Sequence, residues 1–250
     1  HKGFEPLLGG FKFFKYNDFE SVKYIFEECD KNNQNIAGIL IEPIQGEGGV
    51  IPGDKKFFQQ LREICDKKNT LLIFDEVQSG VGRTGNMWGY ENLDIEPDGF
   101  TLAKGLGGGH AIGALLVGKK ANIFVPGDHA STFGGNPFAC TAALTILNEI
   151  KRKNLLHNVL MRSTQLEEGL NIISKKYSNI IKGHRGIGLL QGIVLNEEVV
   201  DAKKITISAF EKGLLVVPAG TNVVRIVPPL IISKNEIKIM LNKLSLIFKG

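Results

Sequence analysis

Two side chains of opposite charge, Asp75 and Lys104, each close an apolar run and each lead into glycine-rich sequence. Leu71-Leu72-Ile73-Phe74 runs into Asp75-Glu76, and Phe100-Thr101-Leu102-Ala103 runs into Lys104 and then Gly105-Leu106-Gly107-Gly108-Gly109. A short apolar run bounded by turn signals reads as a buried strand of a parallel sheet. Ligands of open α/β sheets sit in the crevice beyond the carboxyl ends of the strands. Asp75 and Lys104 are therefore expected to face one ligand, although they lie far apart in sequence.

A lysine partly desolvated at a strand end has a larger neutral fraction. Its free amine can add to a carbonyl carbon and form a Schiff base, and the glycines beside it let backbone approach a ligand closely. Asp75 and Glu76 suit a metal ligand, a general base or a fixed counter-charge. Taken alone, the pair is read most simply as a helix cap or a salt bridge. Set against a strand-end lysine, another role fits: an aspartate facing a pyridine nitrogen keeps it protonated, so the ring can take electrons from a carbanion.

Gly80, Gly82 and Gly85 satisfy G-x-G-x-x-G, a pattern that points to a dinucleotide and a nicotinamide-dependent oxidoreductase. That fingerprint needs a helix opening at the third glycine and an acid about 20 residues on. Asn86-Met87-Trp88-Gly89-Tyr90 is no amphipathic helix start, and Glu91 and Asp94 come too soon. Ser131-Thr132, ahead of Phe133-Gly134-Gly135-Asn136, offers hydroxyls and N–H groups before a helix, either a phosphate cradle or an ordinary capping turn. Arg225 stands inside the apolar run Val223-Val224-Arg225-Ile226-Val227, where a charge needs a partner. It is either a structural salt bridge or a bidentate clamp for a substrate carboxylate. The histidines show no metal spacing, and no metal is expected.

The elements that position these residues alternate. Asp18 begins a helix with Phe19, Val22, Ile25 and Phe26 on one face, and 36–41 is a strand ending in Glu42-Pro43 and a glycine-rich loop. A helix from Asp54 to Cys65 and strands at 71–74, 99–103 and 112–117 follow. Strand, helix, strand is the signature of parallel α/β architecture. Pro137 marks the start of a helix through Ile150. A boundary is expected near Asn154. Beyond it come a long helix (155–177), strands at 180–182 and 189–194, and a helix over 202–212. Strands at 214–217 and 223–227 and a helix from Lys234 to the end complete an α+β unit.

The totals exclude several classes. The 250 residues carry 30 Lys+Arg against 26 Asp+Glu, a net charge of +4, too small and too evenly spread for nucleic acid or an anionic membrane. Cys29, Cys65 and Cys140 form neither a zinc pattern nor a disulfide framework, which fits a reducing compartment such as the cytoplasm. No apolar run approaches the roughly 18 residues of a membrane span.

EPIQGEGG (42–49), FDEVQSGVGRTG (74–85), LAKGLGGG (102–109), STFGGNP (131–137) and VRIVPPL (224–230) resemble, in order and spacing, the motif set of class III aminotransferases, over the chain from His1 to Gly250. The resemblance implies a fold type I pyridoxal phosphate enzyme of the α/β class. Residues 1–153 would form part of a large cofactor-binding domain with a mostly parallel sheet, and 154–250 a C-terminal α+β small domain. The implied reaction moves an amino group between N2-acetylornithine and 2-oxoglutarate in arginine synthesis, with ornithine, succinylornithine or 4-aminobutyrate as alternative donors. Lys104 would hold pyridoxal 5'-phosphate covalently and shuttle the proton, and Asp75 would pair with the ring nitrogen. Glu76 lies in the same cofactor motif. Val77 would pack on the ring, and Gln78 would hydrogen-bond its hydroxyl. Thr132 would bind the phosphate of cofactor held by the partner subunit, with Ser131 at the neighbouring substrate contact, which implies a homodimer. Arg225 would take the α-carboxylate of glutamate or 2-oxoglutarate, and Glu47 would pair with Arg225 when another donor is bound. The family's polypeptide begins well upstream, with a Gly-Thr phosphate loop, a stacking aromatic and a distal arginine. This chain is therefore expected to be the C-terminal part of the enzyme, binding cofactor poorly as an isolated piece.

Overall fold

The computed structural model of the chain describes residues 3–249. Along the chain run α1 (Phe19–Lys31), β1 (Gly38–Ile41), β2 (Ile44–Gln45), β3 (Ile51–Pro52), α2 (Lys55–Lys68), β4 (Leu71–Asp75), β5 (Gly99–Leu102) and β6 (Ala114–Val117). Both helices start where the sequence supplies a carboxylate to meet free backbone N–H groups. Asp18 accepts from Ser21 N–H at 3.3 Å and Asp54 from Phe57 N–H at 2.9 Å. Asn69, left-handed at φ 52°, ends α2 at little steric cost.

The first sheet has strand order β1-β4-β5-β6. β1 and β5 pair with β4 in parallel, and β6 pairs with β5 antiparallel. Helices α1 and α2 cover one face. There Phe26, Phe57, Phe58 and Leu61 pack on Ile39, Ile41, Leu72 and Phe74. The continuous apolar runs predict strands buried on both faces, but β1 alternates and Leu40 is 65% exposed.

The helix α3 (Pro137–Arg152) opens with Asn136 accepting from Ala139 N–H at 3.0 Å. After α4 (Leu155–Lys176) come β7 (Ile181–Ile187), β8 (Leu190–Leu195), α5 (Ala202–Glu211), β9 (Val217–Ala219), β10 (Val223–Ile226) and α6 (Lys234–Lys249). The second sheet is antiparallel throughout, in the order β7-β8-β10-β9. Its core joins Leu166 and Leu170 of α4, Ile193 of β8, Val224 of β10 and Ile237 and Leu244 of α6.

Two differences from the sequence reading bear on the site. The β7 strand extends to Ile187, well past 180–182, because its pairing with β8 is antiparallel and does not depend on an apolar run through Gly183-His184-Arg185-Gly186. The β2–β3 hairpin was not anticipated, since two-residue strands carry no periodicity; Val50 between them is fully buried against Ile44 and Leu190.

Phe58 anchors the first core, edge-on to Phe57 and Phe74 with ring centroids 5.4 and 5.5 Å away. Phe58→Ala is expected to cost about 3–5 kcal/mol. The measure is a lower urea midpoint at unchanged slope.

Candidate active site

Parallel pairing brings three strand ends to one edge of the first sheet. Asp75, the last residue of β4, is in register with Thr101 of β5, and Lys104 follows two residues after β5 ends. Glu42 directly follows β1, on the other side of β4. One Asp75 oxygen, Oδ1, accepts from Val77 N–H at 2.9 Å and Thr101 Oγ1–H at 3.3 Å. Neither bond uses Oδ2, which stays available to a donor such as a protonated ring nitrogen.

Lys104 opens a short 3-10 turn (Lys104–Gly107) at φ 44°. A left-handed backbone costs a side-chain-bearing residue about 1–3 kcal/mol and tends to occur at functional positions. The side chain is exposed, not partly desolvated as the strand-end position predicts. It lines a cavity of about 670 Å³ together with His110, Ile112 and the loop 133–135. Its charge reaches across the strand ends, favouring ionised Glu42 and Glu47, while Asp75 opposes ionisation of Glu42. Burial outweighs the rest at Glu42 and raises its pKa, although Gly46 N–H donates to its carboxylate at 2.9 Å.

Arg225 arrives from the second sheet on β10, opposite Gly192 of β8. Its side chain is only 12% exposed. Nη1 donates to Glu47 Oε1 at 2.8 Å and to Gln78 Oε1 at 3.1 Å, and Gln78 Nε2 donates to the same Glu47 oxygen at 2.8 Å. Gly46 makes room for this triangle, since a Cβ there would stand 2.3 Å from the Gln78 amide. Arg225 Nε is buried with no hydrogen-bond partner among the described residues. An arginine so placed matches a carboxylate fork. Spare Asp75 Oδ2, unpaired Arg225 Nε and the cavity at Lys104 together fit a cofactor ring and a carboxylate-bearing substrate.

Glu47 is held by its backbone. Its carbonyl accepts from Gly220 N–H at 2.8 Å, and the next carbonyl but one, Gly49, accepts from Arg185 Nε and Nη2 at 3.0 and 2.9 Å. Its side chain, by contrast, is 70% exposed.

Other expected site residues are placed differently. The Glu76 carboxylate is buried and turns into the protein, accepting from Ser79 Oγ–H at 2.6 Å, Gly89 N–H at 2.8 Å and Tyr90 N–H at 2.6 Å. Both oxygens are committed, so Glu76 braces the loop after β4. Gln78 donates from its amide nitrogen to Glu47 and accepts at its amide oxygen from Arg225. Val77 is half-buried between them. Ser131 and Thr132 lie on an exposed loop and bond to none of these residues; Ser131 Oγ accepts from Gly134 N–H at 3.1 Å. Glu42 and Arg185 were missed. Glu42 carried a signal, an acid at a strand's carboxyl end, whereas nothing local marks Arg185.

The dinucleotide pattern fails structurally. Gly85 is followed by bends and then a short 3-10 helix, Gly89–Leu93, so no α-helix opens at the third glycine as the fingerprint requires.

Hydrogen bonding from Arg225 lowers the Glu47 pKa more than partial burial raises it. A depressed carboxylate keeps its pair above the ordinary value and loses it as pH falls through the lower, folded value. The Glu47 carboxyl carbon, followed by NMR, should therefore titrate below the usual glutamate range and return toward it in Arg225→Met. Glu76→Ala leaves the Gly89 and Tyr90 donors unpaired and should cost at least about 2 kcal/mol in denaturant unfolding, while the cofactor absorbance maximum stays in place.

The family "Aminotransferase class-III" matches residues 1–248. Acetylornithine aminotransferase of Prochlorococcus marinus subsp. pastoris is 73% identical over 248 residues, covering 99% of this chain and 60% of that protein. The enzyme of the same name from Parasynechococcus marenigrum is 56% identical, covering 98% and 58%. The chain thus spans 60% or less of the length of these curated relatives. Among solved structures, ornithine aminotransferase from Toxoplasma gondii superposes with a TM-score of 0.91 at 30% identity, over 99% of this chain and 58% of that one. N-acetylornithine aminotransferase from Stenotrophomonas maltophilia gives 0.85 at 35% identity, over 97% and 63%. With strand ends, motifs and neighbours in agreement along its length, this chain belongs to the class III aminotransferase family, fold type I.

Proposed function

We propose that this chain carries the catalytic lysine of a pyridoxal 5'-phosphate-dependent aminotransferase that moves an amino group between N2-acetylornithine and 2-oxoglutarate. Meeting of Asp75 and Lys104 at adjacent parallel strand ends supports the reaction class most directly. The choice of donor follows the relatives named acetylornithine aminotransferase. Residues 1–153 form part of the cofactor-binding unit and 154–250 the smaller one. The free cysteines Cys29, Cys65 and Cys140 suit the cytoplasm.

Asp75, through Oδ2, together with Val77, Gln78 and Lys104, would hold the cofactor. When bound, pyridoxal phosphate supplies an electron sink for the carbanion left as the amino-bearing carbon loses its proton. Lys104 Nζ takes that proton and returns it. Thr132, on an exposed loop, serves the cofactor phosphate across a homodimer interface, with Ser131 at the substrate.

Arg225 receives the α-carboxylate of glutamate or 2-oxoglutarate, and Glu47 closes on Arg225 when the acetylated donor is present. The loop's backbone contacts leave this exchange to the exposed Glu47 side chain, which needs only a rotamer change. One pocket thereby serves both halves of a ping-pong cycle.

Borohydride reduction and peptide mapping of the holoenzyme should place the pyridoxyl mass on Lys104; a label on another lysine overturns the assignment. Lys104→Ala should lower turnover about 10²–10⁴-fold through loss of proton transfer alone. Across a donor panel, kcat/KM should be highest for N2-acetylornithine. A maximum with ornithine or 4-aminobutyrate would reassign the donor and leave the chemistry in place.

A further inference from the structure

The turn Gly80 to Gly85 has no dinucleotide to hold, yet it contains a cation withdrawn from solvent. Arg83 is half-buried, and burial alone pulls its pKa down to about 10, with no carboxylate opposing the shift. It stays cationic at neutral pH. Its Nη1 is held by backbone carbonyls instead, donating to Leu189 and Pro228. Leu189 N–H returns a bond to the Arg83 carbonyl at 3.0 Å.

Both partners belong to the second sheet. Leu189 lies in the turn between β7 and β8, and Pro228 lies just beyond the end of β10, three residues after Arg225. The contact is close: a Cβ on Gly188 would stand 2.6 Å from the Thr84 backbone. On the other side the same turn runs back through Val81, held at φ 54°, to Gln78. The Gln78 amide oxygen accepts from Arg225. Arg225 is thus bracketed, its head by Gln78 and Glu47 and the exit of its strand by Arg83.

We propose that Arg83 is a positioning residue for the substrate carboxylate. Its guanidinium, through Nη1, ties the turn carrying Gln78 to the exit of the strand carrying Arg225, and so sets where Arg225 stands relative to Asp75 and Lys104. The inference rests on the reading that Arg225 takes a substrate carboxylate. A lysine at position 83 keeps the charge but lacks the planar guanidinium that sets Nη1 between the two carbonyls.

The test compares holoenzymes carrying Arg83→Met, Arg83→Lys and Arg225→Met. It uses the KM of each substrate and the calorimetric Kd of glutarate, a dicarboxylate with no reacting amine. Arg83→Met should raise the KM for 2-oxoglutarate and the Kd for glutarate about tenfold. The KM for the ω-amino donor should hold, because that half-reaction leaves Arg225 paired with Glu47. Arg83→Lys should fall between, and it carries the same comparison where Arg83→Met does not fold. Unchanged glutarate binding in a folded Arg83 variant overturns the proposal, and so does an equal rise in KM for both substrates, which marks a general structural role. If Arg225→Met also leaves glutarate binding unchanged, the carboxylate reading itself is wrong.

Discussion

Everything at the site depends on β4 lying parallel between β1 and β5. That pairing sets Glu42, Asp75 and Lys104 at one edge of the sheet, and no local preference of the chain could do so. Antiparallel pairing of β5 with β4 would send Lys104 to the opposite end. The apolar runs themselves hold the arrangement, because strands of this kind are stable only when α1 and α2 cover them. The left-handed turn at Lys104 is the local cost of bending the chain at that edge.

The second sheet supplies what the first lacks, a buried cation for a carboxylate. A guanidinium that is 12% exposed cannot be left without acceptors. Glu47 and Gln78 share that task unequally. Glu47 brings charge but is 70% exposed, so its departure exposes little new surface. Gln78 is neutral and half-buried, and its amide oxygen accepts from the same Arg225 nitrogen that Glu47 does. On the proposed reading of Arg225, an incoming carboxylate would replace one anion with another at a cation that has a second, neutral acceptor. Fixing the Glu47 backbone through Gly220 and Arg185 confines the exchange to a side chain, on a faster timescale than any sheet movement.

Much of this was legible in the sequence, for identifiable reasons. Caps at Asp18, Asp54 and Asn136 and the runs at Leu71 and Gly99 carry local signals, and those elements stand within a few residues of where they were read. The Glu47–Arg225 pair followed from resemblance to a family, not from spacing, since the two residues meet only through tertiary structure. What stayed hidden is of the same non-local kind. Arg185 grips a carbonyl in a different sheet, the β2–β3 hairpin is too short for a pattern, and Arg83 sat inside a motif that suggested something else. The internal bonding of Glu76 was not legible, because adjacent acids at a strand end look alike in sequence, whereas successive side chains point to opposite faces. Asp75 therefore faces the crevice and Glu76 the loop donors.

The acids at the strand ends also behave as a set. Burial holds the Glu42 pKa up, Asp75 raises it further, and Gly46 N–H and Lys104 pull it down. Lys104 also favours the ionised form of Glu47, behind the larger effect of Arg225. Removing charge from Lys104 thus withdraws support for the ionised form of both glutamates at once. Glu42 also feels the charge of Glu47, so its ionisation is tied to the Arg225 end of the site as well as to Lys104 and Asp75.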